Sequence, residues 1–190
     1  MIEPVTGNTH HHQCPIDPDT PAVRNVMHGE YQARWLRSLG MKAASERKKP
    51  RDSQRARVYR AEEKVAQILK ERNLGSVAAT QDIVDSVVGS DRWRAVAPHR
   101  PVVVVADGRG RRSGGSIGGE IRLPRRYRTR LVVLHELAHE WATCPVRAPH
   151  GPEFAGAFLT LLGVFHSDTA AALMSDAFAE EGVRVTTATD

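Results

Sequence analysis

Apolar positions along this chain change their spacing from block to block, and each spacing predicts an element. Val58, Ala61, Val65, Ile68 and Leu69 recur at helical intervals, with Asn73 and Gly75 as a stop signal, so a helix is predicted over 52–73. Ile83, Val84, Val87 and Val88 mark a second helix ending near Gly89. Pro101 then opens Val102–Val105, four β-branched residues in a row, which reads as a buried strand. Glycines from Gly108 to Gly119 form a loop, and the alternation over Ile117–Leu123 predicts a second strand with one wet face. Thr129 is placed to cap a helix from Arg130 to about Thr143, which Pro145 forces to end at Cys144. Phe154, Phe158, Leu161, Leu162 and Phe165 mark another amphipathic helix, and Leu173, Met174, Ala177 and Phe178 a last one.

The first 50 residues break this regularity. Pro4, Pro15, Pro18, Pro21 and Pro50 punctuate a polar run, which predicts a flexible arm with at most a short helix around Tyr31–Leu39. The domain organisation expected is therefore an arm over 1–50, a folded domain over 51–182 and a tail over 183–190.

Composition narrows the class. With 190 residues, 41% of them hydrophobic, the chain suits one ordinary domain. Lys plus Arg number 27 against 22 Asp plus Glu, a net charge of +5 that favours anionic partners. Arginines at 109, 111, 112, 122, 125, 126, 128 and 130 concentrate this charge, offering a nucleic-acid or acidic-peptide guide or a plain solvated face. No apolar run approaches the length of a membrane span. The opening Met1-Ile-Glu-Pro4 carries no secretion signal, and Cys14 and Cys144 make no disulfide framework, so a cytoplasmic monomer is expected.

The chemistry is concentrated in His135-Glu136-Leu137-Ala138-His139. Two histidines four apart lie on one helical face, where both imidazoles can reach a single ion. Glu136, one position on, is offset from the ligand direction yet close enough to contact a metal-bound water. A hydrolytic zinc site needs a third protein ligand and an open fourth position. His150 fills that role, because the Pro145–Pro149 loop can turn the chain back toward the ion. Gly151 then permits a tight backbone and Pro152 suits the first turn of a helix. Glu153 is the runner-up ligand and Asp168 the next. Cys144 follows the ligand helix and reads as a small buried residue, and His10–His12 with Cys14 as tail composition. His166 is a candidate oxyanion stabiliser or a surface histidine at a helix end. Gly118, Gly119, Glu120 and Ile121 form a candidate backbone shelf for an extended peptide.

These residues resemble a known family. His135–His139 followed by His150-Gly151-x-x-Phe154 is similar to the metal-binding pattern of SprT-like minimal zincins, and more closely to that of the HExxH-motif metallohydrolases. The resemblance runs over roughly 51–165. It takes in Arg51-Asp-Ser-Gln-Arg55, Val58-Tyr59, Ala61-Glu62, Val104–Arg112, Ile121-x-Leu-Pro124 and Val132–His139. It implies an α+β minimal zincin whose small, mostly antiparallel sheet packs on the metal helix and an N-terminal helix. It also implies Zn²⁺ on His135, His139 and His150, Glu136 as general base, and a peptide or protein substrate. Two alternatives use the same residues: a zinc hydrolase of a non-peptide amide, and a non-catalytic, nucleic-acid-associated zinc module. The metzincin spacing is absent, and no Cys-x-x-Cys pair is present to build an accessory zinc ribbon.

Overall fold

A computed structural model describes residues 51–96, 104–107, 115–117, 119–142 and 148–186. The arm over 1–50 with its Tyr31–Leu39 helix, the His10–His12 run, Cys14, Gly118 and Cys144 lie outside these residues. The described chain is mostly helical, with one small sheet, so its class is α+β.

Among the described residues, six helices and three strands follow one another: α1 (Arg55–Leu69), α2 (Val77–Val88), α3 (Asp91–Val96), β1 (Val104–Asp107), β2 (Gly115–Ile117), β3 (Glu120–Leu123), α4 (Arg130–Ala142), α5 (Pro152–Phe165) and α6 (Asp168–Glu181). Local chemistry explains most boundaries. Ser76 caps α2 by accepting from the Ala79 amide at 3.0 Å. Thr129 Oγ1 accepts from the Val132 amide at 3.3 Å at the start of α4, as its sequence position predicts. Pro152 occupies the first turn of α5, where its missing N–H costs nothing. The short helix α3 and a single 3-10 turn over Arg125–Tyr127 escape the periodicity reading, both being too short to show a period.

The sheet corrects two expectations. Its order is β1-β3-β2, with β1 parallel to β3 and β2 antiparallel to it, so it is mixed rather than mostly antiparallel. Alternation reports which side chains are buried but carries no information on strand direction, which the connections decide. The single strand expected over Ile117–Leu123 is instead the end of β2, a turn and β3. Gly119 makes the turn at φ +83°, a backbone region that side chains with a Cβ avoid. Within β3, Ile121 and Leu123 are buried and Arg122 is exposed, the one-wet-face pattern that its alternation predicts.

Helix α4 is the centre of the molecule. It packs on α5, on α2 and on β2, and α5 in turn packs on α6, which pairs with α1. Leu131, Val133, Leu134, Leu137 and Ala138 of α4 are all buried, and so are His135, Glu136 and Glu140. A helix buried on nearly every side holds its polar groups rigidly, but each needs a partner. Trp93 is buried and meets Trp141 edge to face at 6.4 Å, a packing role for both. Val183 is buried too, and the Thr186 amide bonds to the Pro152 carbonyl at 3.0 Å, so packing continues past α6.

Arg128, read from sequence as part of a basic run, is 5% exposed and belongs to the scaffold. Its guanidinium donates to the carbonyls of Leu123 (3.2 Å) and Gly75 (3.1 Å) and to Asp107 Oδ1 (2.9 Å), tying β3 and β1 to the start of α2. Arg128→Ala should therefore lower the unfolding free energy by about 2–3 kcal/mol, read from urea denaturation.

Candidate metal centre

Two elements supply the site. His135 and His139 stand one turn apart on α4, and His150 lies on the turn before α5. One nitrogen of each lies within 4.8 Å of the others, close enough for all three to hold one metal ion. Ring centroids are 4.9 Å apart for His135 and His139, 5.4 Å for His135 and His150, and 4.7 Å for His139 and His150. The sequence prediction of these three residues as a cluster agrees with their placement.

Each imidazole has a second contact that orients it, an arrangement common to metal-binding histidines. For His150 the hold is complete. Its amide donates to Asp52 Oδ1 at 3.3 Å, and its Nδ1 meets Asp52 Oδ2 at 2.8 Å. Its carbonyl accepts from the buried Gln54 side chain at 3.1 Å. A carboxylate only accepts, so Nδ1 carries the proton and Nε2 presents its lone pair. That Nε2 is buried and has no hydrogen-bond partner. A buried acceptor without a partner is costly unless something binds it, and a metal ion fits that need.

His135 Nδ1 lies 3.1 Å from Glu62 Oε2. The pair is a close electrostatic contact rather than an aligned hydrogen bond, since this Nδ1 and Glu62 Oε1 are both buried without a hydrogen-bond partner. His139 is hydrogen-bonded to the backbone of Pro149, just before the third ligand. Beneath the rings, the buried Phe154 lies 4.9 Å from His135, 4.4 Å from His139 and 5.0 Å from His150 between centroids. This apolar floor keeps water from one side of the cluster. Gly151 fits closely beside it, since a Cβ there would lie 3.1 Å from the Ala148 carbonyl oxygen, tighter than an ordinary contact.

Charge at the site follows from burial. Burial, then the neighbouring His135 and His150, lowers the pKa of His139 to about 2. Burial likewise lowers that of His150, against the pull of Asp52. Burial disfavours the cation at His135 too, but the charge and contact of Glu62, with Glu136, outweigh it and raise its pKa. Two imidazoles are thus held neutral and ready to donate a lone pair. Glu136, beside them on α4, is 5% exposed, and its charge acts on His135 and on the phenol of Tyr59.

The remaining candidates go elsewhere. Among the described residues, Glu153 and Asp168 do not join the three-histidine group. His166 pairs through Nε2 with Glu71, whose other oxygen accepts from the Leu131 amide at 2.9 Å, so it helps cap the start of α4. Gly119, Glu120 and Ile121 belong to the turn and central strand of the sheet. Glu120 and Ile121 pair with β1 on one side and β2 on the other, which leaves no backbone there to receive a peptide. Arg122 pairs with Glu120 at 2.8 Å, and Arg130 donates to the Phe165 carbonyl at 3.0 Å, so several arginines of the basic run have partners within the fold.

Asp52, Gln54, Tyr59 and Glu62 were assigned no role on sequence grounds. The signal was present as spacing, because positions 55, 59 and 62 share a helical face beside the apolar stripe of Val58, Ala61 and Val65. No family model, curated protein or solved structure matches the chain.

Asp52→Ala should weaken zinc binding about 10- to 100-fold in chelator competition while the fold persists. The pH response has a defined sign. His139 and His150 refuse protons that the unfolded chain accepts below its ordinary value near 6.5, whereas the raised His135 opposes this. Two groups with lowered values stand against one that is raised, so below about pH 6.5 the unfolded chain binds more protons. Stability of the metal-free protein should therefore fall between pH 7.5 and 5.5 in urea titrations, and His139→Gln should flatten that slope.

Proposed function

We propose that this chain is a zinc-dependent metallohydrolase of the minimal zincin type that cleaves peptide amide bonds, with Glu136 as general base. The observation that carries the reading is the orphaned, buried Nε2 of His150 beside the two α4 imidazoles. A set of three imidazoles suits zinc, and three protein ligands among the described residues correspond to a catalytic site with one position open to solvent. Zinc bound there would lower the pKa of a water molecule toward about 7 and polarise a substrate carbonyl.

The chain supplies the rest. Asp52 and Glu62 hold two of the ligand rings in place. Phe154 closes the inner side to water, so charge on the neighbouring residues is little screened. The Glu136 carboxylate takes the proton of the attacking water and returns it to the departing amine nitrogen. A structural zinc site has no use for such a base.

An extended peptide needs a sheet edge, and β3 is central. Among the described residues β2 pairs with β3 alone, and it packs against α4. The outer edge of Gly115–Ile117 is therefore the proposed shelf, where strand addition would lay a peptide alongside the metal helix.

The test pairs metal analysis with digestion of an unbiased peptide library. Glu136→Gln should retain one zinc per chain and lose about 10²- to 10⁴-fold in turnover. Intact cleavage by this variant would remove Glu136 from the mechanism.

A further inference from the structure

We propose that Tyr59, assisted by Arg55, forms the donor element that stabilises negative charge on the substrate's carbonyl oxygen. This rests on the hydrolase reading and adds a residue to it. The imidazole cluster has two unlike aromatic neighbours. Phe154 is 1% exposed, whereas Tyr59, carried on α1, is 41% exposed. Its ring stacks on His135 at 5.7 Å with a 20° interplanar angle and meets His150 edge-on at 5.1 Å. Tyr59 is therefore a part-exposed ring in contact with two of the three imidazoles.

Arg55 stands beside that phenol. Its guanidinium carbon is 5.5 Å from the Tyr59 ring centroid, one helical turn earlier on α1. A guanidinium only donates, so Arg55 offers the phenol no acceptor and its O–H is left to donate to a substrate. The nearby positive charge also polarises that O–H, and it reaches as far as His139 and His150. Donors fixed in advance at the place where charge develops are worth about 10²- to 10³-fold in rate. His166, the candidate for this role on sequence grounds, is committed to Glu71.

The test needs no substrate. The protein is loaded with Co²⁺, whose visible spectrum reports ligand exchange, and titrated with inorganic phosphate and, separately, with imidazole. Phosphate offers a tetrahedral set of oxyanions, whereas imidazole offers none. Tyr59→Phe should weaken phosphate binding about 10-fold or more and leave cobalt uptake and imidazole binding at wild-type values. Arg55→Gln should weaken phosphate in the same direction. Phosphate binding unchanged in Tyr59→Phe, or phosphate and imidazole weakened alike, would overturn the proposal. Wild-type protein that takes up cobalt yet binds neither ligand would instead defeat the open-position reading, and this proposal with it.

Discussion

The site depends on how Asp52 and Gln54 grip His150. A third ligand carried on a turn has no helix to orient it, and every polar group of such a residue competes for partners. Here the amide and Nδ1 of His150 go to Asp52 and its carbonyl to Gln54, so Nε2 is left over by elimination. Gln54 also bonds both backbone groups of Arg184, joining the ligand turn to the segment after α6. Two residues at the start of α1 thus set the tautomer, the ring direction and the position of the turn. Loss of Asp52 would free the ring to rotate and its proton to move to the other nitrogen.

Burial does the second half of the work. Three imidazoles packed over Phe154 would repel one another if charged, and little water is present to screen them. His139 and His150 are accordingly held neutral, which is the form that donates to a metal ion. Glu62 and Glu136 bring negative charge to the same place, and bound divalent charge would balance it. The cluster is thus costly to keep apart from a cation and favourable to keep with one.

The scaffold shows how position can reassign residues of similar appearance. In the basic run, Arg128 is a buried brace, Arg122 is paired within its own strand and Arg130 ties α4 to the end of α5. His166 looks in sequence like the other histidines, yet it joins a clamp with Glu71 at the start of the metal helix. On α1 the reverse holds. Arg55 and Tyr59 look like an ordinary solvated face, and they lie beside the cluster.

What the sequence by itself determined was local. Helical periodicity located α1, α4 and α5 to within a few residues and marked the existence of α2 and α6 but not where they begin, since burial of one stripe imposes a 3.6-residue repeat. The four-residue interval between His135 and His139 placed both on one face for the same reason. His150 was legible from chemistry and loop composition, because proline and glycine mark where a chain can turn back. Only the tertiary structure decided the direction of β1 against β3, the burial of Arg128 and the partners of His166. It alone brought Asp52, Tyr59 and Glu62 to the three-histidine cluster, across more than 70 residues of intervening chain. Such contacts leave no period in the sequence, because they are set by how helices pack and not by how any one of them is wound.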